Sequence, residues 1–68
     1  MTPDTLGAAL ATIRWSTTDL AHALGADERR VRRWKAGRYP VPPKVAKWLM
    51  DLAAAHLCHP APGDWRDG

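Results

Sequence analysis

Ala21, Gly25, Val31 and Trp34 stand four, six and three residues apart, and no other feature of the chain limits its folding options as much. Two short helices that cross steeply need a small side chain at the crossing, and Ala21 supplies it. A glycine one turn later lets the backbone enter the left-handed region and reverse. Val31 and Trp34, three apart, then fall on one side of the following helix and hold it against its neighbour. The flanking residues agree. Ser16 caps the earlier helix, and Asp19 three positions on can bond back to the Ser16 amide. Trp15 before the cap and Leu20 at the fourth helical position form a hydrophobic staple. Asp27 caps the later helix, and Gly37 ends it.

The same punctuation places two more helices. Thr2-Pro3-Asp4 reads as a cap, a proline at the first helical position and an acid in the first turn. Leu6, Ala9, Leu10 and Ile13 follow at helical spacing, so a first helix is expected from about Pro3 to Arg14. After the central pair, Arg38-Tyr39-Pro40-Val41-Pro42-Pro43 forms a stiff loop that delivers Pro43 to the start of a fourth helix. Val45, Trp48, Leu49, Leu52 and Ala53 make its apolar stripe. It should end near Cys58, because His59-Pro60-Ala61-Pro62-Gly63 breaks it. No strand alternation and no internal repeat is present. The expected architecture is therefore an all-α, four-helix domain over residues 1–58, with residues 59–68 as a short, irregular and flexible C-terminal tail.

Size adds a constraint. A chain of 68 residues draws only roughly 3–5 kcal/mol from its core and usually needs a staple. A single cysteine, Cys58, excludes an internal disulfide and fits a reducing, cytoplasmic compartment. A second copy of the chain is the favoured staple. Trp48, Leu49, Met50 and Leu52 make the fourth helix apolar around more than half its circumference. The excess assigns Trp48, Leu49, Leu52 and Leu57 to a homodimer interface, with Trp65 of the tail as a further candidate. Nothing is apolar for long enough to span a membrane, and no secretory leader is evident.

The net charge of +3 conceals an asymmetry. Between Arg29 and Lys47 lie eight basic residues and no acidic one, whereas the remainder carries two basic and seven acidic residues. One segment is thus strongly positive on a mildly acidic body, a distribution suited to a polyanion. On the third helix Arg29 and Arg33 are like charges at i,i+4, which weakens an isolated helix by about 0.2–0.5 kcal/mol. A phosphate or guanine between them reverses the sign.

Two short capped helices joined through Gly25 form a helix-turn-helix. The run Ser16-Thr17-Thr18-Asp19-Leu20-Ala21-His22-Ala23-Leu24-Gly25, continued by Val31-Arg32-Arg33-Trp34-Lys35-Ala36-Gly37, resembles the Cro/C1-type helix-turn-helix family with its lambda-repressor-like fold. The resemblance covers about Leu6 to Leu57 and implies a small phage or bacterial transcriptional regulator. Its expected form is a homodimeric repressor of palindromic operators, often of its own gene. With Val31 and Trp34 inward, the resemblance assigns base contacts to Glu28, Arg29 and Arg33, with Arg32 beside them. Arginine grips guanine O6 and N7, and Glu accepts from the cytosine amino group, so a G·C-containing half-site is expected. Glu28 and Arg32 are also spaced to pair with each other. Phosphate contacts are expected from Thr17, Thr18, Arg30, Arg38, Tyr39 and Lys44. Arg30 departs from the family pattern, which has a small Ser or Thr there; its stem is expected to lie on Trp34 while its head reaches a phosphate.

Other chemistries fare less well. His56, Cys58 and His59 have metal-ligand chemistry but not the four-ligand spacing of structural zinc. The acids fall at helix starts or on exposed faces, no phosphate-cradling loop or nucleophile triad occurs, and no cofactor is expected. The chain does not read as an enzyme. The rival reading is an antitoxin-like or phage-encoded protein-interaction module that uses the same fold to bind an acidic protein.

Overall fold

The computed structural model describes residues 1–62. They form α1 (Pro3–Ile13), α2 (Thr17–Leu24), α3 (Glu28–Lys35) and α4 (Pro43–Cys58), with no strand among the described residues. The all-α, four-helix architecture is as expected. Residues 59–62 continue without regular structure, while Trp65 lies outside the described residues.

Three helices start where the sequence provides an acceptor for their first amides. Thr2 Oγ1 accepts from the Thr5 amide at 3.1 Å. Ser16 Oγ accepts from the Asp19 amide at 3.1 Å while Asp19 Oδ2 accepts from the Ser16 amide at 2.8 Å, closing the capping box. The Ser16 amide and hydroxyl hold the Asp19 carboxyl below its ordinary pKa. Asp27 Oδ1 accepts from the Arg29 amide at 2.9 Å. The fourth helix begins on Pro43 with no side-chain cap.

The first three helices stop in the same way. A left-handed residue donates back to the carbonyl three before it, and the next residue donates to the carbonyl five before itself. At the end of α1 these bonds are Arg14 to Ala11 and Trp15 to Leu10. At α2 they are Gly25 to His22 and Ala26 to Ala21, and at α3 Gly37 to Trp34 and Arg38 to Arg33. This is the Schellman arrangement, and it satisfies carbonyls that would otherwise face no donor. Glycine occupies two of the three left-handed positions, but Arg14 holds the first at φ 60°. The expected first helix thus ends one residue early, and Arg14 is its stop. Gly37 has a second reason to be glycine: a Cβ there would sit 3.2 Å from Pro3 Cγ. The end of α3 and the start of α1 touch at that point.

The core is wholly apolar. Leu6, Leu10 and Ile13 of α1 meet Leu20 and Ala21 of α2, Val31 and Trp34 of α3, Val41 of the loop and Leu49 of α4. In this arrangement α1 packs on α4 and α3, and α2 packs on α3. No buried side-chain nitrogen or oxygen lacks a partner among the described residues.

Two sequence expectations change here. Leu49 was assigned to a dimer interface, yet it is fully buried in the protomer's own core and cannot meet a second chain without unfolding its own. Val41, read only as part of a stiff loop, is buried. It joins the same core cluster as Leu6, Leu10, Trp34 and Leu49, and its neighbour Pro42 holds an extended backbone at φ -55° and ψ 139°.

Candidate nucleic-acid interface

α3 is divided sharply by its packing. Val31 is fully buried and Trp34 nearly so, while Arg29, Arg30, Arg32, Arg33 and Lys35 are all exposed. The division follows from the 3.6-residue period: two apolar side chains three apart define one stripe, and the arginines have only the other side available. Among the described residues, ion pairs engage just two bases, Arg32 with Glu28 and Lys47 with Asp51. Arg29, Arg30, Arg33, Lys35, Arg38 and Lys44 have no acidic partner there. A surface built to be merely soluble would interleave its charges.

The structure brings the expected site residues into two groups. In the first, Glu28 Oε1 accepts from Thr18 Oγ1 at 2.8 Å and from Arg32 Nη2 at 2.7 Å. The Thr18 hydroxyl, and then Arg32, keep the Glu28 carboxyl below its ordinary pKa. Glu28, expected to accept from cytosine, therefore already accepts twice within the chain. Thr18, expected on phosphate, has its hydroxyl proton directed at Glu28. The sequence contained the Glu28–Arg32 spacing, but the Thr18–Glu28 bond joins residues ten apart and depends on how α2 crosses α3.

In the second group, the Arg33 guanidinium lies over the Tyr39 ring, 5.8 Å from its centroid. Arg30, Arg33, Trp34, Tyr39 and Pro42 line one open groove of about 390 Å³. Arg30 thus borders the same hollow as Trp34, in keeping with a stem that follows the indole while the head group stays in solvent. Tyr39 is 57% exposed. Sequence reasoning had placed Tyr39 on phosphate but had no signal for its stacking with Arg33.

Arg38 and Lys44 are exposed and Thr17 is half-buried; no side-chain hydrogen bond joins them to either group. Lys44 stands in the first turn of α4, whose uncapped amides carry the positive end of that helix.

On α4, Trp48 is 37% exposed and Leu57 is 74% exposed, with Leu52 half-buried. Trp48 packs its ring against Trp15, with centroids 5.8 Å apart at 54°. A larger open hollow of about 510 Å³ lies where α1 and α4 end, between Arg14, His56 and His59. No group of three His, Cys, Asp or Glu side chains suited to a metal occurs among the described residues. No helix among them is long and apolar enough to cross a membrane.

No protein-family model, no curated protein and no solved structure matches the chain.

Proposed function

We propose that this chain is a sequence-specific DNA-binding regulator that places the exposed face of α3 in the major groove. The observation that carries the reading is the division of that helix. Val31 and Trp34 are spent on the core, and Arg29, Arg30, Arg32 and Arg33 are left outward. Exposed arginines on a short helix at the end of a helix-turn-helix suit guanine O6 and N7, which accept two hydrogen bonds from one guanidinium. Arg29, Arg32 and Arg33 are the proposed base-edge contacts. Arg30, Arg38, Tyr39, Lys44 and the start of α2 at Thr17 are the proposed phosphate contacts, which set register without reading sequence.

In this reading the chain acts as a homodimeric, Cro/C1-like repressor in the cytoplasm. Its two α3 helices would lie about 34 Å apart, one turn of B-DNA, on an inverted repeat. Trp48, Leu52 and Leu57 are the proposed dimer contacts. Support for a second chain comes from the exposed apolar side chains of α4 and from the small core of a domain this size.

The experiment is selection of bound duplexes from a random pool, followed by titration at fixed salt. Enrichment of an inverted repeat containing G·C pairs supports the reading. Binding that is weak and blind to sequence, alongside tight capture of an acidic protein, overturns it.

A further inference from the structure

Thr18, Glu28 and Arg32 form a hydrogen-bonded relay between two helices, and both bonds end on one oxygen, Glu28 Oε1. Glu28 is the first residue of α3, where a carboxylate is favoured by the helix dipole. Arg32 stands one turn further along the same face. Thr18 comes from the first turn of α2, so its bond fixes the Glu28 carboxylate relative to a different helix. We infer that Glu28 is a positioning residue, which holds the Arg32 guanidinium in place for reading a base pair and does not itself read one. The inference rests on the DNA-binding reading above.

Three physical points favour positioning over direct reading. Glu28 Oε1 already accepts from two donors, so only Oε2 is left to meet a base, and turning the carboxylate toward one would pull on both existing bonds. A bare carboxylate approaching DNA meets the repulsion of the phosphates, whereas one neutralised by Arg32 meets far less. Arg32 has five N–H donors in a rigid fork. One is given to Glu28, and the others remain for guanine O6 and N7. A guanidinium that is tethered before binding loses less freedom on contact than a mobile one, which is the general advantage of preorganisation. Because the tether reaches α2, the helix proposed to set the phosphate register also sets the direction of Arg32.

The test uses the full chain and the duplex selected by the wild-type protein. Affinity is measured at fixed salt for all four bases at each position, for the wild type, Arg32→Ala, Glu28→Ala, Glu28→Gln, Thr18→Val and Thr18→Ser. Arg32→Ala identifies the base pair that Arg32 reads, with discrimination there falling on the order of tenfold. Positioning predicts that Glu28→Ala and Thr18→Val weaken discrimination at that same base pair. It also predicts that Glu28→Gln and Thr18→Ser keep most of it, since an amide oxygen still accepts and serine still donates. Direct reading predicts instead that Glu28→Gln shifts preference from cytosine toward adenine at a base pair that Arg32→Ala leaves unchanged. That outcome overturns the inference, as does a Thr18→Val protein with wild-type discrimination everywhere. Thermal melts establish that each variant is folded. Should Glu28→Ala fail to fold, the Thr18→Val and Thr18→Ser pair carries the comparison. A wild-type chain with no sequence preference overturns the DNA-binding reading itself and this inference with it, a result separate from the others.

Discussion

The Arg33 guanidinium stacks over the Tyr39 ring at 5.8 Å from its centroid, so a residue of α3 is aimed by a residue of the loop that follows it. Arg33 is exposed and has no acidic partner among the described residues. The tyrosine therefore limits where a free guanidinium can point. Tyr39→Phe keeps the aromatic face and removes only the hydroxyl, whereas Tyr39→Ala removes both. With exposed cation–π contacts contributing about 0.5–1 kcal/mol, Tyr39→Ala is expected to weaken DNA binding by about twofold to fivefold more than Tyr39→Phe does. Equal losses in a titration at constant salt would mean that the ring has no part in aiming Arg33.

Arg29 and Arg33 separate stability from function. They are like charges one turn apart on an exposed helix face, so replacing Arg29 by Ala relieves repulsion. Urea unfolding should show the variant unchanged or more stable by about 0.2–0.5 kcal/mol. Its operator affinity should nevertheless fall, and the two measurements moving in opposite directions is the expected signature. For the phosphate candidates Arg38 and Lys44, replacement by Ala should lower the slope of log K against log salt by about one each and leave base preference intact. Loss of affinity with no change in slope would remove them from the phosphate backbone.

Acid should loosen the α2–α3 contact at a defined point. Thr18 and then Arg32 depress the Glu28 pKa, and the Ser16 amide and hydroxyl depress that of Asp19. A carboxylate with a depressed folded-state pKa contributes stability that is complete above its ordinary value and is lost as pH falls through the depressed one. Stability should accordingly be flat from neutral pH down to about 4 and decline on the acid side of it. In Glu28→Gln the part of the decline due to this residue should be missing. A Glu28→Gln protein with the wild-type acid profile would show that the relay does not stabilise the fold.

The two left-handed helix stops of similar geometry, Arg14 at φ 60° and Gly25 at φ 64°, should respond oppositely to substitution. Adding a Cβ at Gly25 meets no neighbouring atom, so Gly25→Ala carries about 1 kcal/mol of left-handed strain. The lower freedom of its unfolded chain partly offsets this, and a net loss of about 0.3–0.7 kcal/mol is expected. Arg14→Gly removes the same strain but gives the unfolded chain more freedom, and a net gain of a few tenths of a kcal/mol, about 0.3–0.7, is expected. Thermal melts of the pair decide it. An Arg14→Gly protein less stable than wild type would mean that the Arg14 side chain contributes more than its backbone conformation costs.

On α4, adjacent stripes differ in exposure. Leu49 is fully buried, and Leu49→Ala is expected to cost about 2–5 kcal/mol, enough to unfold a domain of this size. Leu57→Glu, at a position that is 74% exposed, should leave the helical far-UV spectrum intact. If α4 carries the dimer, the same change should abolish concentration-dependent association in sedimentation equilibrium. Association that survives in a Leu57→Glu, Trp48→Ala double variant would place the dimer surface elsewhere.

Local chemistry determined most of the secondary structure from the sequence alone. Thr2, Ser16 and Asp27 are acceptors for amides two or three residues away, and Gly25 and Gly37 are the residues that turn left-handed without strain. Such signals act within one turn of helix, so they can be read in a linear chain. The inward places of Val31 and Trp34, and with them the outward arginines, follow from helical period for the same reason. Tertiary structure alone decided what lies between elements. It took Leu49 out of the exposed stripe, put Val41 into the core, and bonded Thr18 to Glu28 across the helix crossing. It also laid Arg33 on Tyr39. Each of these depends on the angle and distance at which separate elements pack. Those are set jointly by every core side chain, and no local pattern encodes them.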